Sequence, residues 1–200
     1  MSVQSIRPQL TEQDIERLMR GETPEQRASV AHRVCRRIAL DVLSDREKAF
    51  ADEIMGILAE DSADLVRRTL SVTLRNSPVL PRAIALKLAQ DIEAVAIPVL
   101  QDSPVFTDED LIELVLAVTA AKQAAIANRE TLSITLTEVI SEHGAVEAVR
   151  AASRNEGAEY SDKAFDDTLR RFGQDEIVQT GLIKREFIPT HIAEKMVSLV

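Results

Sequence analysis

The chain has 200 residues, 45% of them hydrophobic and only 3% aromatic, and a formal net charge of −9. That length suffices for one domain or a short repeat array with a continuous core, and the apolar share excludes wholesale disorder. The acidic balance repels phosphate backbones, and five Phe, one Tyr and no Trp offer no base-stacking platform, so nucleic acid is not an expected partner.

Residues 1–10 have no clear periodicity and are expected to fray. A short helix is predicted from Thr11, with Asp14 as its capping partner, to Gly21. Thr23-Pro24-Glu25-Gln26 is a stronger start, with Thr at the N-cap, Pro at the first helical position and Gln at the third. The helix that follows carries Val30, Val34, Ile38 and Val42 on one stripe. Ser44 caps a second one bearing Phe50, Ile54, Ile57 and Leu58. Residues 1–60 are read as an N-terminal helical cap.

From residue 61 a pattern returns every 26 residues. Asn76-Ser77-Pro78-Val79-Leu80 becomes Asp102-Ser103-Pro104-Val105-Phe106 and then Asn128-Arg129-Glu130-Thr131-Leu132. Leu86, Ile112 and Glu138 are equivalent, as are Leu88, Leu114 and Ile140. One turn and two helical runs per period is the signature of stacked helical hairpins. The expected fold is therefore all-α, a right-handed solenoid of hairpins over residues 61–200, continuous with the cap. Leu80, Phe106 and Leu132 are expected at equivalent buried sites. Pro98, inside the run opened by Asp91, is expected to kink or break its helix. The fourth turn, near Asn155 to Ser161, is longer, so the register drifts there. The final run, Met196-Val197-Ser198-Leu199-Val200, is apolar where a terminal repeat needs a polar outer face. Continuation of the chain or weak self-association through this helix is the expected consequence.

The residues that could carry chemistry are few. His32, His143 and His191 have no second ligand at metal spacing, and His143 precedes Gly144 at a predicted helix end. Neither a nucleophile elbow nor a phosphate-cradling glycine loop is present. Asp108-Glu109-Asp110 follows Thr107 and reads as the acidic first turn of a helix. Cys35 beside Arg36 and Arg37 reads as a buried thiol, with a reactive one as the sharper alternative. A lone cysteine fits a reducing compartment. With no secretory signal and no membrane-length apolar run, the chain is read as cytoplasmic. Residues 101–150 are the acidic zone, with three basic against nine acidic groups, a net −6. The remaining candidates are cations. Arg33, Arg36 and Arg37 on one helix and Arg67 and Arg68 on another form either a solvated face or a patch for an acidic partner or phosphate-bearing ligand.

The sequence around Asp61 to Arg68, with Val66-Arg67 closing an Asp-x-x-x-x-Val-Arg pattern, resembles HEAT-type repeats. Ala89-Gln90-Asp91 through Val99-Leu100, Ser103-Pro104-Val105-Phe106 through Glu113, Ala125 to Arg129 and Asn155-Glu156-Gly157-Ala158 resemble the bacterial domain-of-unknown-function family 2336 over roughly residues 10 to 200. The resemblance implies an all-helical repeat fold and no catalytic residue. Asn128 departs from the family pattern, which has a basic residue before Arg129. The resulting expectation is a non-enzymatic scaffold or adaptor that binds a protein or peptide on its repeat surface, without a cofactor. The alternative is a regulatory sensor for a phosphate-bearing small ligand.

Overall fold

The computed structural model describes residues 23–40 and 43–197, together with 13, 16 and 20. The helix expected over Thr11 to Gly21 and the apolar residues Leu199 and Val200 fall largely or wholly outside the described residues.

Twelve α-helices follow in chain order among the described residues. They are α1 (Pro24–Leu40), α2 (Asp45–Ala59), α3 (Asp64–Leu74), α4 (Arg82–Gln90), α5 (Glu93–Asp102) and α6 (Asp108–Ala117). Then come α7 (Ala120–Ala127), α8 (Ile134–His143), α9 (Val146–Arg154), α10 (Asp162–Phe172), α11 (Glu176–Ile183) and α12 (Thr190–Val197). The protein is all-α.

Local chemistry sets the helix starts. Thr23 and Gln26 form a reciprocal capping pair at α1, and Ser44 with Glu47 does the same at α2. Thr107 accepts from the Asp110 amide while Asp110 accepts from the Thr107 amide at α6. Ser133 and Ser161 cap α8 and α10. Each of these satisfies amides that have no partner within the helix. Immediately before the caps stand Leu80, Phe106 and Leu132, at 1%, 8% and 1% exposure. Their common 26-residue spacing reflects a common place in the fold. Tyr160 holds the same position before Ser161, displaced by the longer fourth turn.

Of the kink or break expected at Pro98, the break does not occur: helix α5 runs through it. The proline sits six residues into the helix, so it removes only the bond to the Ala94 carbonyl. Val95, Ala96, Val99 and Leu100 around it are fully buried, and this packing on both sides holds the helix together. Residue Asp91 does not lie within α5 either. It is the C-cap of α4, and Ile92 is the N-cap of α5.

The odd-numbered helices pack serially, α1 on α3, α3 on α5, α5 on α7, α7 on α9 and α9 on α11. Among the even ones, α2 packs on α4, α6 on α8, α8 on α10 and α10 on α12. One hydrophobic cluster extends from Ala28 to Met196, rich in Ala, Val and Leu, whose small side chains allow close helix approach. One isolated parallel bridge pairs Leu132 with Ala158 and joins consecutive turns. No helix among the described residues is long and apolar enough to cross a membrane. At the C-terminal end Ile192 and Met196 are buried, whereas Val197 is 77% exposed.

Candidate functional site

Most of the cations have structural partners, and this narrows the search for a site. Arg27 grips both oxygens of Asp61 at 2.7 and 2.9 Å. Arg67 grips both oxygens of Asp91 at 2.5 and 2.9 Å and also donates to the Asp61 carbonyl. Arg82–Asp110 repeats the arrangement further along the chain, and Arg150 donates from Nε and Nη2 to the single Oδ2 of Asp175, whose Oδ1 caps α11. These partners lie 24 to 34 residues apart in sequence. The pairs thus tie together helices that are distant in sequence.

The guanidinium in each pair holds Asp61, Asp91, Asp110 and Asp175 below the usual carboxylate range. A depressed folded pKa gives stability that is present above the unfolded value, about pH 4, and lost as pH falls through the folded values. Thermal midpoints measured from pH 6 downward are therefore expected to stay flat to about pH 5 and then fall. The Asp91→Asn variant should start lower and fall less steeply. An unchanged slope in that variant would remove Arg67–Asp91 from the acid response.

A second set of cations and amides binds carbonyls at helix C-termini, where four carbonyls lack helical partners and the dipole is negative. Lys122 donates to the carbonyls of Ala89 and Asp91 at the end of α4. Arg129 donates to Leu100 and Ser103 at the end of α5. Asn155 serves Ala127 and Arg129 after α7, Arg171 serves Ser141 and Gly144 after α8, and Arg185 serves Ser153, Asn155 and Ala158 after α9. Burial pulls Arg129 and Arg185 below the ordinary arginine value, as expected of cations held by dipoles and not by carboxylates. The turn at Asn128–Arg129 is thus a clamp on the preceding helix.

The sequence candidates separate accordingly. Arg67 is held by Asp91 and Asp61. Arg33 and Arg36 are exposed on α1, Arg37 is half-buried there, and Arg68 is exposed on α3. His143 lies 3.7 Å from Glu142, His191 lies 3.9 Å from Asp162, and His32 meets Thr73. Cys35 is fully buried, and burial pushes its thiol up to about 12. Native protein should therefore resist a thiol-specific reagent near neutral pH and react only after denaturation. Prompt stoichiometric labelling of the folded chain would contradict a buried thiol.

A cavity of about 540 Å³ opens where the α9–α10 connection meets α11 and the segment after it. Tyr160 and Arg185 form its floor, with the guanidinium 4.4 Å above the ring, and Phe165 packs 4.9 Å away on the same ring. Burial pushes the Tyr160 phenol up to about 12. At Gly181 any Cβ would press on Ser153 at 2.6 to 2.9 Å, so glycine lets α11 approach α9 closely. The rim carries Arg154, Lys184, Glu156, Glu186 and Phe187. An adjoining cavity of about 450 Å³ shares Arg154 and Glu156 and is bounded by Asn128, Glu130 and Gly157. Sequence reasoning passed over Arg154 and Lys184. They lie 30 residues apart; Arg154 stands alone, whereas Lys184 and Arg185 form a basic pair of the same kind as Arg36-Arg37 and Arg67-Arg68, a signal that could have pointed to this cavity.

A family model described as an uncharacterised protein conserved in bacteria, domain-of-unknown-function family 2336, matches residues 95–200. The span covers just over half of the chain and includes both cavities. It starts further along than the resemblance read from about residue 10. No curated protein and no solved structure matches the sequence.

Proposed function

From the premise that the chain belongs to this bacterial family, whose description names no activity, we propose that it is a non-enzymatic scaffold that binds a partner protein in the cytoplasm. In this reading α3 to α12 form a right-handed HEAT-like solenoid, with α1 and α2 as its cap. The serial packing of the odd-numbered helices supports it, because such arrays keep their contacts local and expose long surfaces for recognition. The observation that carries the reading is the pair Ile183 and Phe187. They are 63% and 75% exposed on either side of Lys184, and large apolar side chains left open beside a cavity mark interaction surfaces.

The test is capture from bacterial cytoplasm by immobilised protein, with the Ile183→Asp, Phe187→Asp double variant alongside. A protein captured by the native chain and lost by the variant is the expected result. Identical capture by both would reject this surface as the binding face.

A second reading, a sensor for a phosphate-bearing small ligand, draws support from Arg33, Arg36 and Arg68, which are exposed. Pyrophosphate titration followed by amide shifts on α1 and α3 tests it. Shifts that survive Arg33→Gln with Arg36→Gln would exclude those residues.

A further inference from the structure

We propose that the cavity between the α9–α10 connection and the segment after α11 is a docking pocket for an acidic peptide segment carrying a large apolar side chain. This rests on the protein-binding reading above and gives it a place and a ligand chemistry.

Beyond residue 61, nearly every described arginine and lysine contacts a carboxylate or is held by carbonyls at a helix end. Arg68, Arg154 and Lys184 are the described exceptions with donors to spare, Arg154 giving only its Nε, to its own helix at Arg150. Two of these three line the same cavity. An exposed cation without a counter-charge is common. Two converging on one concavity of ligand size, about 540 Å³, beside an aromatic residue 75% exposed is a built recognition surface.

Glu156 and Glu186 also line the rim, so the lining is mixed, three cations against two carboxylates. The third cation, Arg185, lies half-buried in the floor over Tyr160, with carbonyls and no carboxylate as its partners. Charge held at low dielectric is screened less than charge on a solvated rim. The floor therefore presents positive potential to whatever enters, while the two glutamates remain in water. Phe187, 75% exposed, supplies the apolar contact. An acidic residue next to a Phe, Leu or Ile side chain matches both features, and charge complementarity of this kind sets specificity and association rate.

The experiment uses the full chain as bait for a random linear-peptide display library. The enriched peptides are then synthesised and their affinities measured by fluorescence anisotropy. The expected peptides join Asp or Glu to a large apolar residue. Arg154→Glu and Lys184→Glu should each weaken binding by about threefold to tenfold, and Glu156→Gln and Glu186→Gln should strengthen it. Arg33→Glu with Arg36→Glu on the distant α1 should leave affinity unchanged. All these side chains are exposed, and thermal melts confirm that each variant is folded. Basic enriched peptides, or the reverse order of variant effects, would overturn the proposed ligand chemistry. Enriched peptides indifferent to all four pocket variants would overturn this pocket while leaving protein binding intact. No enrichment by the native chain would overturn the pocket and count against the protein-binding reading as well.

Discussion

Replacing Phe106 by alanine is expected to lower the stability of the protein by about 3 kcal/mol, the lower end of the range for removing a buried aromatic. Phe106 directly precedes the Thr107 cap of α6 and is 8% exposed. In that position an apolar side chain fixes the angle at which the backbone enters the helix. Leu111, four residues into α6, is buried on the same core. Truncation removes the transfer energy of the ring and leaves a hole that helices tied on both sides cannot close. Leu80→Ala and Leu132→Ala should each cost about 2–5 kcal/mol by the same argument, since both are 1% exposed. The measurement is the urea midpoint, with the slope m unchanged if the denatured state is unaffected. Midpoints that match the native chain in all three variants would dissolve the 26-residue register.

Gly157→Ala is expected to destabilise by about 1–3 kcal/mol, as overpacking does when the neighbour cannot move. No glycine among the described residues has positive φ, so the cost is not conformational. A Cβ at this position would lie inside the contact shell of the Glu130 carbonyl, which is backbone and has no rotamer with which to withdraw. The two turns are also joined by Leu132 N–H to the Gly157 carbonyl and Glu159 N–H to the Leu132 carbonyl, each at 3.0 Å, and by the Asn155 amide. Separation of the turns would break those bonds. Gly56→Ala supplies the opposite case. Gly56 lies inside α2 with nothing within 4 Å of a built Cβ, so alanine there should stabilise by up to about 1 kcal/mol. A thermal midpoint that is unchanged or raised in Gly157→Ala would contradict the close approach there, and one lowered in Gly56→Ala would contradict the open space at that glycine.

The carbonyl clamps bear on how such an array holds together. Lys122, Arg129, Asn155, Arg171 and Arg185 each reach from one unit to helix ends of the one before. Helix ends at the turns would otherwise need water or a left-handed glycine cap. Here the next unit satisfies them, so recognition between units has a directional polar component besides apolar packing.

The sequence by itself determined the all-helical class, the 26-residue spacing and most helix starts. These depend on residues within about four positions of one another: Thr23 with Gln26, Ser44 with Glu47, Thr107 with Asp110. It also set which face of each helix is buried, because Leu88, Leu114 and Ile140 recur in register. Only the tertiary structure decided which charges remain available. Arg67 stood out in sequence beside Arg68, yet Asp91 holds it from 24 residues away. Arg154 is isolated in the sequence and Lys184 belongs to a distant basic pair, yet they line one cavity. An ion pair or a clamp forms between helices brought together by stacking, and its energy depends on distances that no local pattern encodes. Pro98 makes the same point for the backbone. A rule about one residue predicted a kink or a break; the helix is unbroken, and burial of its neighbours outweighed the single lost hydrogen bond.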